Sequence, residues 1–158
     1  MTATIRGQYR YRLGRQWLDG DGTVAFVMLN PSRADHRKND NTIARCIGWA
    51  QDWGFHRLEV VNLFAYRSPS PKALLEVDDP VGPENDAHLV DVATNADRVV
   101  CAWGSHPIAR ARGRAVAELL RGVKLECLML TADGSPHHPR GLRTTLKPRP
   151  FPGFTNPV

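Results

Sequence analysis

Four short apolar runs, Val24–Leu29, Leu58–Val61, Val99–Ala102 and Leu125–Leu130, are almost unbroken by polar residues. A strand covered on both faces has this pattern, whereas a half-solvated strand alternates. Between the runs, apolar residues recur three and four apart. Ile43, Ile47 and Ala50 mark a helix over Thr42–Trp53, capped by Asp40 or Asn41 and stopped at Gly54. Further helices are predicted over Glu84–Ala96 and over Pro107–Arg121, the second opened by a proline in its first turn. Pro69–Val77 holds a short helical turn. Asp79-Pro80-Val81-Gly82-Pro83 is a rigid connector, because both prolines fix φ and remove a donor. Residues 6–18 alternate polar and apolar (Tyr9, Tyr11, Leu13), as in an edge strand or hairpin arm ending at Asp19-Gly20-Asp21-Gly22. Strand and helix therefore alternate. That order predicts a three-layer α/β/α domain with a central, mostly parallel sheet of four to five strands. The single α/β domain is expected over residues 1–146, and the proline-rich tail, 147–158, as an extended or disordered end.

Each apolar run leads straight into a polar cluster. These are Asn30-Pro31-Ser32, Asn62-Leu63-Phe64, Trp103-Gly104-Ser105-His106, and Thr131 through Arg140. In an open α/β sheet, ligands bind beyond the carboxyl ends of the strands. If the strands are parallel, the clusters converge on one sheet edge and build one site.

Length and composition narrow the classes without naming one. A chain of 158 residues fits one domain with a real core. No apolar run approaches the roughly 20 residues that span a bilayer, and MTATIRGQYRYRLGRQW lacks the apolar stretch of a signal peptide. The expectation is a cytoplasmic protein without a membrane partner. Cys46, Cys101 and Cys127 lie far apart without metal-type spacing and are read as reduced core thiols. There is no P-loop, G-x-G-x-x-G, G-x-S-x-G or C-x-x-C, which removes the commonest nucleotide-phosphate and hydrolase chemistries. No cofactor is expected. Net charge is +5 and unevenly spread: residues 73–97 hold seven acids and no Lys or Arg, while ten bases face three acids from Arg98 onward. Arg6, Arg10, Arg12 and Arg15 add to the basic side. A basic surface of this kind suits a polyanion, nucleic acid (DNA ahead of RNA); scattered solubilising arginines are the alternative.

The polar clusters carry the candidate chemistry. Asn30 offers a donor and an acceptor, Ser32 a hydroxyl, and Asp35 and Asp40 possible bases, with Pro31 fixing the chain direction; an Asx-type turn is the structural alternative. An amide that ends an apolar strand, as Asn62 does, can read the edge of a heterocycle through paired bonds. Phe64 and Tyr66 can stack on a base or belong to the core, and Arg67 with Ser68-Pro69-Ser70-Pro71 can take a phosphate. His106 sits before a helix start that favours anions. His137 and His138 lie in a proline-bounded loop and can stabilise a leaving group or act as an acid. With Asp35, Asp40 or Asp133 they also make a conceivable metal-ligand set, although adjacent residues seldom point the same way.

In order and spacing, MLNPSRAD, D-N-T-I-A-R-C, VVNLFAYRSPSP, DDPVGPEND, AWG and DGSPHHPR resemble a bacterial family known as domain of unknown function 1643, over Tyr9 to Leu142. More distantly, Met28-Leu29-Asn30-Pro31-Ser32, Asn62 with Arg67-Ser68-Pro69, and His138-Pro139-Arg140 resemble the strand-end motifs of the uracil-DNA glycosylase superfamily. Ser32 stands where that family has glycine, and Arg140 where it has a small residue. The resemblance implies a uracil-glycosylase-like fold and hydrolysis of an N-glycosidic bond in nucleic acid. It implies that Asn30 holds and activates water, Asn62 reads the flipped base, and His138 stabilises the departing base. Asp35 is an added catalytic candidate; Ser32, Phe64, Arg67 and His137 are expected to contact substrate, and Arg33, Arg140 and Arg143 the phosphate backbone. The rivals are a non-catalytic nucleic-acid or nucleotide-binding module and a metal-dependent hydrolase or nuclease using His137, His138, Asp35 and Asp40.

Overall fold

The computed structural model describes residues 1–154, and among these the chain forms one seven-stranded mixed sheet with three α-helices and a 3-10 helix. The strands are β1 (Thr2–Arg6), β2 (Tyr9–Gln16), β3 (Thr23–Met28), β4 (Arg57–Asn62), β5 (Arg98–Cys101), β6 (Leu125–Cys127) and β7 (Arg149–Pro150). The helices are α1 (Asn41–Asp52), α2 (Asn85–Asn95) and α3 (Ala109–Leu119), with the 3-10 turn at Pro71–Glu76. The sheet order is β1-β2-β4-β3-β5-β6-β7. Its centre, β4-β3-β5-β6, is parallel, as the unbroken apolar runs predict.

The sheet is larger than the expected four to five strands because both flanks add antiparallel strands. Residues 6–18 do not make an edge: β2 lies between β1 and β4, and β1 takes the edge through a hairpin turn at Gly7-Gln8. On the far side, Arg149–Pro150 pairs with β6, and Phe151 is buried against Trp103. An edge strand tolerates proline because its outer donors are unused. The proline-rich stretch is thus part of the domain as far as Phe154; residues 155–158 lie outside the described residues. The run Leu125–Leu130 is strand only to Cys127, and Leu130 turns back to bridge Pro136.

Residue alternation divides the core in two. Val24, Phe26, Met28, Leu58, Val60, Val100 and Ala102 meet Ile43, Cys46, Trp49 and Ala50 of α1 on one face. Ala25, Val27, Val61, Val99 and Cys101 meet α2 and α3 on the other. The three cysteines are buried free thiols, and burial pushes those of Cys46 and Cys101 well above the usual range.

A bulge in β2 breaks the alternation. Thr4 faces Arg12 and Ile5 faces Arg10, so Tyr11 has no partner in β1. The extra residue shifts the side-chain period by one. Arg10, Leu13 and Arg15 consequently share the α1 face, while Tyr11 stacks on His88 of α2 and Arg12 donates to His88 Nδ1 at 2.9 Å. Strict alternation would instead have placed Leu13 with Tyr11.

Candidate functional site

A cleft of about 710 Å³ opens at the carboxyl ends of the parallel strands. From β3 the chain crosses to β4 on one side, and later strands extend the sheet from β5 on the other. Such a reversal of winding leaves a crevice between neighbouring connections, which is where open α/β sheets bind ligands. The strand-end clusters do converge here: Asn30, Ser32 and Arg33 after β3, Asn62 at the end of β4, Trp103 to His106 after β5, and His138 and Arg140 beyond β6. The cap and first turn of α1, from Asp40 to Ile43, form another wall of it.

Asn30 is fixed by local bonding. Its Nδ2 donates to the carbonyl oxygens of Ser68 at 2.9 Å and Pro31 at 3.2 Å. Two acceptors around the nitrogen set the amide orientation and leave Oδ1 as the acceptor available to the cleft. Asn62 differs sharply. It is 1% exposed, and neither Oδ1 nor Nδ2 has a hydrogen-bond partner among the described residues. Each such buried group costs about 1–3 kcal/mol relative to a paired one. The backbone beside it is fully engaged: buried Asn85 donates through Nδ2 to the carbonyl oxygens of Asn62 and Leu63, at 2.9 and 3.0 Å. The scaffold is therefore held while the Asn62 amide is left open.

His138 accepts at Nδ1 from the backbone N–H of Arg140 at 3.0 Å. A neutral ring accepting there carries its proton on Nε2. Burial first, then the charges of Arg140 and His137, pull this imidazole down to about 4, with Asp40 opposing them. The ring is neutral at physiological pH. His106 has the same bonding, with Nδ1 accepting from Ile108 N–H at 3.2 Å. Glycine at 104 suits its φ of +81°; a Cβ there would make only ordinary contact with that of His138, at 3.4 Å.

The long loop after Asn30 is clamped from β2. Arg15, buried, donates to the Asn39 side chain and to the carbonyl oxygens of Asp35, Lys38, Gly14 and Thr2. Arg10, equally buried, donates through Nη1 to the carbonyl of Ala34 at 2.8 Å. Asp40 caps α1, its Oδ1 accepting from Ile43 N–H at 2.9 Å. Asp35 is turned inward on its own loop, accepting from Arg37 and Lys38 N–H, which hold its carboxyl below the usual range.

Several expected site residues stand apart. Asp35 does not line the cleft; of the two acids in this loop, Asp40 does. Phe64 is packed in the α2–α3 core, which removes it as a stacking surface. Arg67, His137 and Arg143 also lie outside the lining, His137 because Nδ1 is bonded to the His138 carbonyl oxygen at 2.6 Å. Among the described residues no three His, Cys, Asp or Glu side chains gather as a metal-ligand group, so His137, His138, Asp35 and Asp40 do not form the set that the metal reading required. Part of the charge asymmetry is offset within the fold. Acids of the 73–97 stretch pair with arginines from elsewhere: Glu84 with Arg6, Asp91 with Arg12 and Asp86 with Arg112. Arg33 and Arg140 remain at the cleft without an ion pair among the described residues. Sequence reasoning missed Arg10 as a cleft residue, and the bulge that aims it there left no local signal.

Fold and site together define an open α/β domain with a polar cleft at the switch point of its parallel strands. Residues 10–140 match the family described as a protein of unknown function, DUF1643, and the chain belongs to that family. No curated protein and no solved structure matches it.

Proposed function

We propose that the cleft hydrolyses an N-glycosidic bond in nucleic acid, on a uracil-DNA-glycosylase-like three-layer fold. The observation that carries this reading is the buried, unpartnered amide of Asn62, set in one cleft with the free acceptor of Asn30 and the neutral imidazole of His138. An unpaired donor and acceptor side by side suit the edge of a nucleobase, which offers the complementary pair. Base removal requires extrusion of the nucleotide into a pocket, and the cleft volume suits one nucleotide.

In this mechanism Asn30 Oδ1 holds a water by one of its hydrogens and aims its oxygen at C1′ of the sugar. The new C1′–O bond forms as the C1′–N bond breaks, and the electron pair leaves on the base. His138 Nε2–H donates a hydrogen bond to the oxygen where that charge collects. The proton released by the water ends on the freed base. A neutral donor suits this task because it needs no counter-ion in a partly buried site. Ser32 and Arg33 line the approach after β3, and Arg140 holds backbone phosphate beside His138.

The test is base release. Purified protein is incubated with DNA and RNA carrying uracil, hypoxanthine or modified pyrimidines, and free bases are analysed by mass spectrometry. Release is expected to fall by about 10²–10³-fold in Asn30→Ala, the scale seen when one well-placed polar group is lost, with nucleic-acid affinity largely retained. Salt-dependent binding with no base released from any pool would establish the binding module instead.

A further inference from the structure

Arg10 is a buried cation whose bonding is unfinished. It is 2% exposed, and among the described residues only its Nη1 has a hydrogen-bond partner, the Ala34 carbonyl. Nε is buried without a partner. No carboxylate lies within 4 Å: Arg10 is in none of the ion pairs among the described residues. A buried guanidinium is normally paired or fully hydrogen-bonded, because the charge has lost its water. Burial lowers this one to about 10, with Asp40 opposing and Arg67 and Arg15 adding to the shift. It stays charged at neutral pH.

Its position is as informative as its bonding. The β2 bulge turns Arg10 onto the α1 face, the face of Met28 and Val60 and of the cleft. β2 runs antiparallel past β4, with Leu13 opposite Val60 and Arg10 N–H donating to the Ala65 carbonyl. Arg10 therefore lies alongside the stretch that carries Asn62. Asn41 and Thr42, in the first turn of α1, line the same cleft and add the positive end of a helix dipole. The one acid on that wall, Asp40, already spends an oxygen on capping.

We propose that Arg10 is the floor of an anion subsite, taking a phosphate or carboxylate oxygen of the ligand through Nε and Nη2 beside the group that Asn62 pairs. This goes beyond the hydrolytic reading and stands on the cleft alone. The anion has two possible sources: the phosphate of a nucleotide, or a carboxylate carried on the planar ring itself.

Uniformly ¹⁵N-labelled protein titrated with inorganic phosphate and, separately, with benzoate tests the subsite and distinguishes its sources. The Arg10 Nε–H resonance is expected to shift saturably with one of the two. Phosphate points to the nucleotide source and benzoate to a ring carboxylate. Arg10→Met should weaken that anion at least tenfold, while Arg10→Lys, which keeps the charge and loses the fork, should fall between. If neither anion moves the resonance of the unaltered protein, the proposal is wrong. Equal affinity in Arg10→Met would overturn it as well. Base release is measured independently, so the subsite can fail while the hydrolytic reading survives, and the reverse.

Discussion

Arg10 and Arg15 sit on one strand, on one face, and are equally buried, yet they live in opposite chemical states. Arg15 is saturated: a side-chain oxygen and four backbone carbonyls surround its guanidinium. Arg10 makes a single bond. A similar contrast separates the amide nitrogens of the two buried asparagines: Asn85 Nδ2 clamps two carbonyl oxygens, while Asn62 Nδ2 has no partner among the described residues. Arg15 and Asn85 hold loops and strand ends in place. Arg10 and Asn62 face the cleft. Unpaired buried polar atoms also occur away from the cleft, at Arg45, Trp49, His56, Glu59 and Asn85. It is therefore the place of Arg10 and Asn62 in the cleft lining, added to their missing partners, that assigns them to binding.

The largest expected effect breaks the supporting side. Arg15→Met strands the Asp35 and Lys38 carbonyls and the Asn39 side chain, and should cost about 3 kcal/mol, since each buried acceptor left unsatisfied costs about 1–3 kcal/mol. Urea unfolding reads it as a lower midpoint at unchanged slope. The loop from Asn30 to Asp40 should also lose hydrogen-exchange protection. A loss under about 1 kcal/mol would mean that the loop is held otherwise, and the contrast with Arg10 would collapse.

Asn62→Leu works on the open side and carries the opposite sign. It removes two unpaired polar atoms at similar volume, so the protein should gain about 1–3 kcal/mol while base release disappears. Destabilisation instead would show that the amide is satisfied in the native protein, which undercuts its assignment to the ligand.

How much of this was legible beforehand follows from the same physics. VAFVMLN and LEVVN could be read because a parallel strand is apolar on both faces, and its terminal amide stands out where the run ends. Asn30, Asn62 and His138 were therefore visible as candidates, and they share the cleft. Arg10 was not. Its side chain changes face through one unpaired residue across a hairpin, and nothing near Tyr11 in the sequence announces that bulge. Phe64 misled because two residues beyond a strand end the alternation no longer holds; its backbone N–H bonds to the Leu29 carbonyl and the ring turns into the core. The pairing of Arg149–Pro150 was hidden by prolines that exclude interior strands but not edges. Part of the apparent polarity of charge is offset because residues far apart in sequence meet in pairs.

A smaller effect sharpens the boundary between support and binding at Asp40, which serves both. Asp40→Ala should cost about 1 kcal/mol through loss of the cap on α1, read as a lower Tm. Because its charge opposes the shifts at Arg10 and His138, removing it should also strengthen phosphate binding. A loss of phosphate affinity would assign Asp40 to holding the ligand rather than to the helix.

The smallest effect is a matter of pH and concerns His138. In the folded protein its proton leaves at about 4, whereas an imidazole in the unfolded chain keeps it to about 6.5. Between those values the unfolded chain binds more protons, so this group makes stability rise with pH across that window and fall on acidification through it. Depressed carboxyls such as Asp35 and Asp133 act in the same direction at lower pH, so the wild-type protein alone cannot isolate the histidine. His138→Gln can: its Tm should drop less between pH 7 and pH 4.5 than that of the unaltered protein. Activity that depends on the neutral ring should likewise stay level from pH 8 to about 5, without an inflection near 6.5. An inflection there would mean that the ring titrates as if in water, and that the arginine beside it and the cover of the cleft leave it as solvated as any surface histidine.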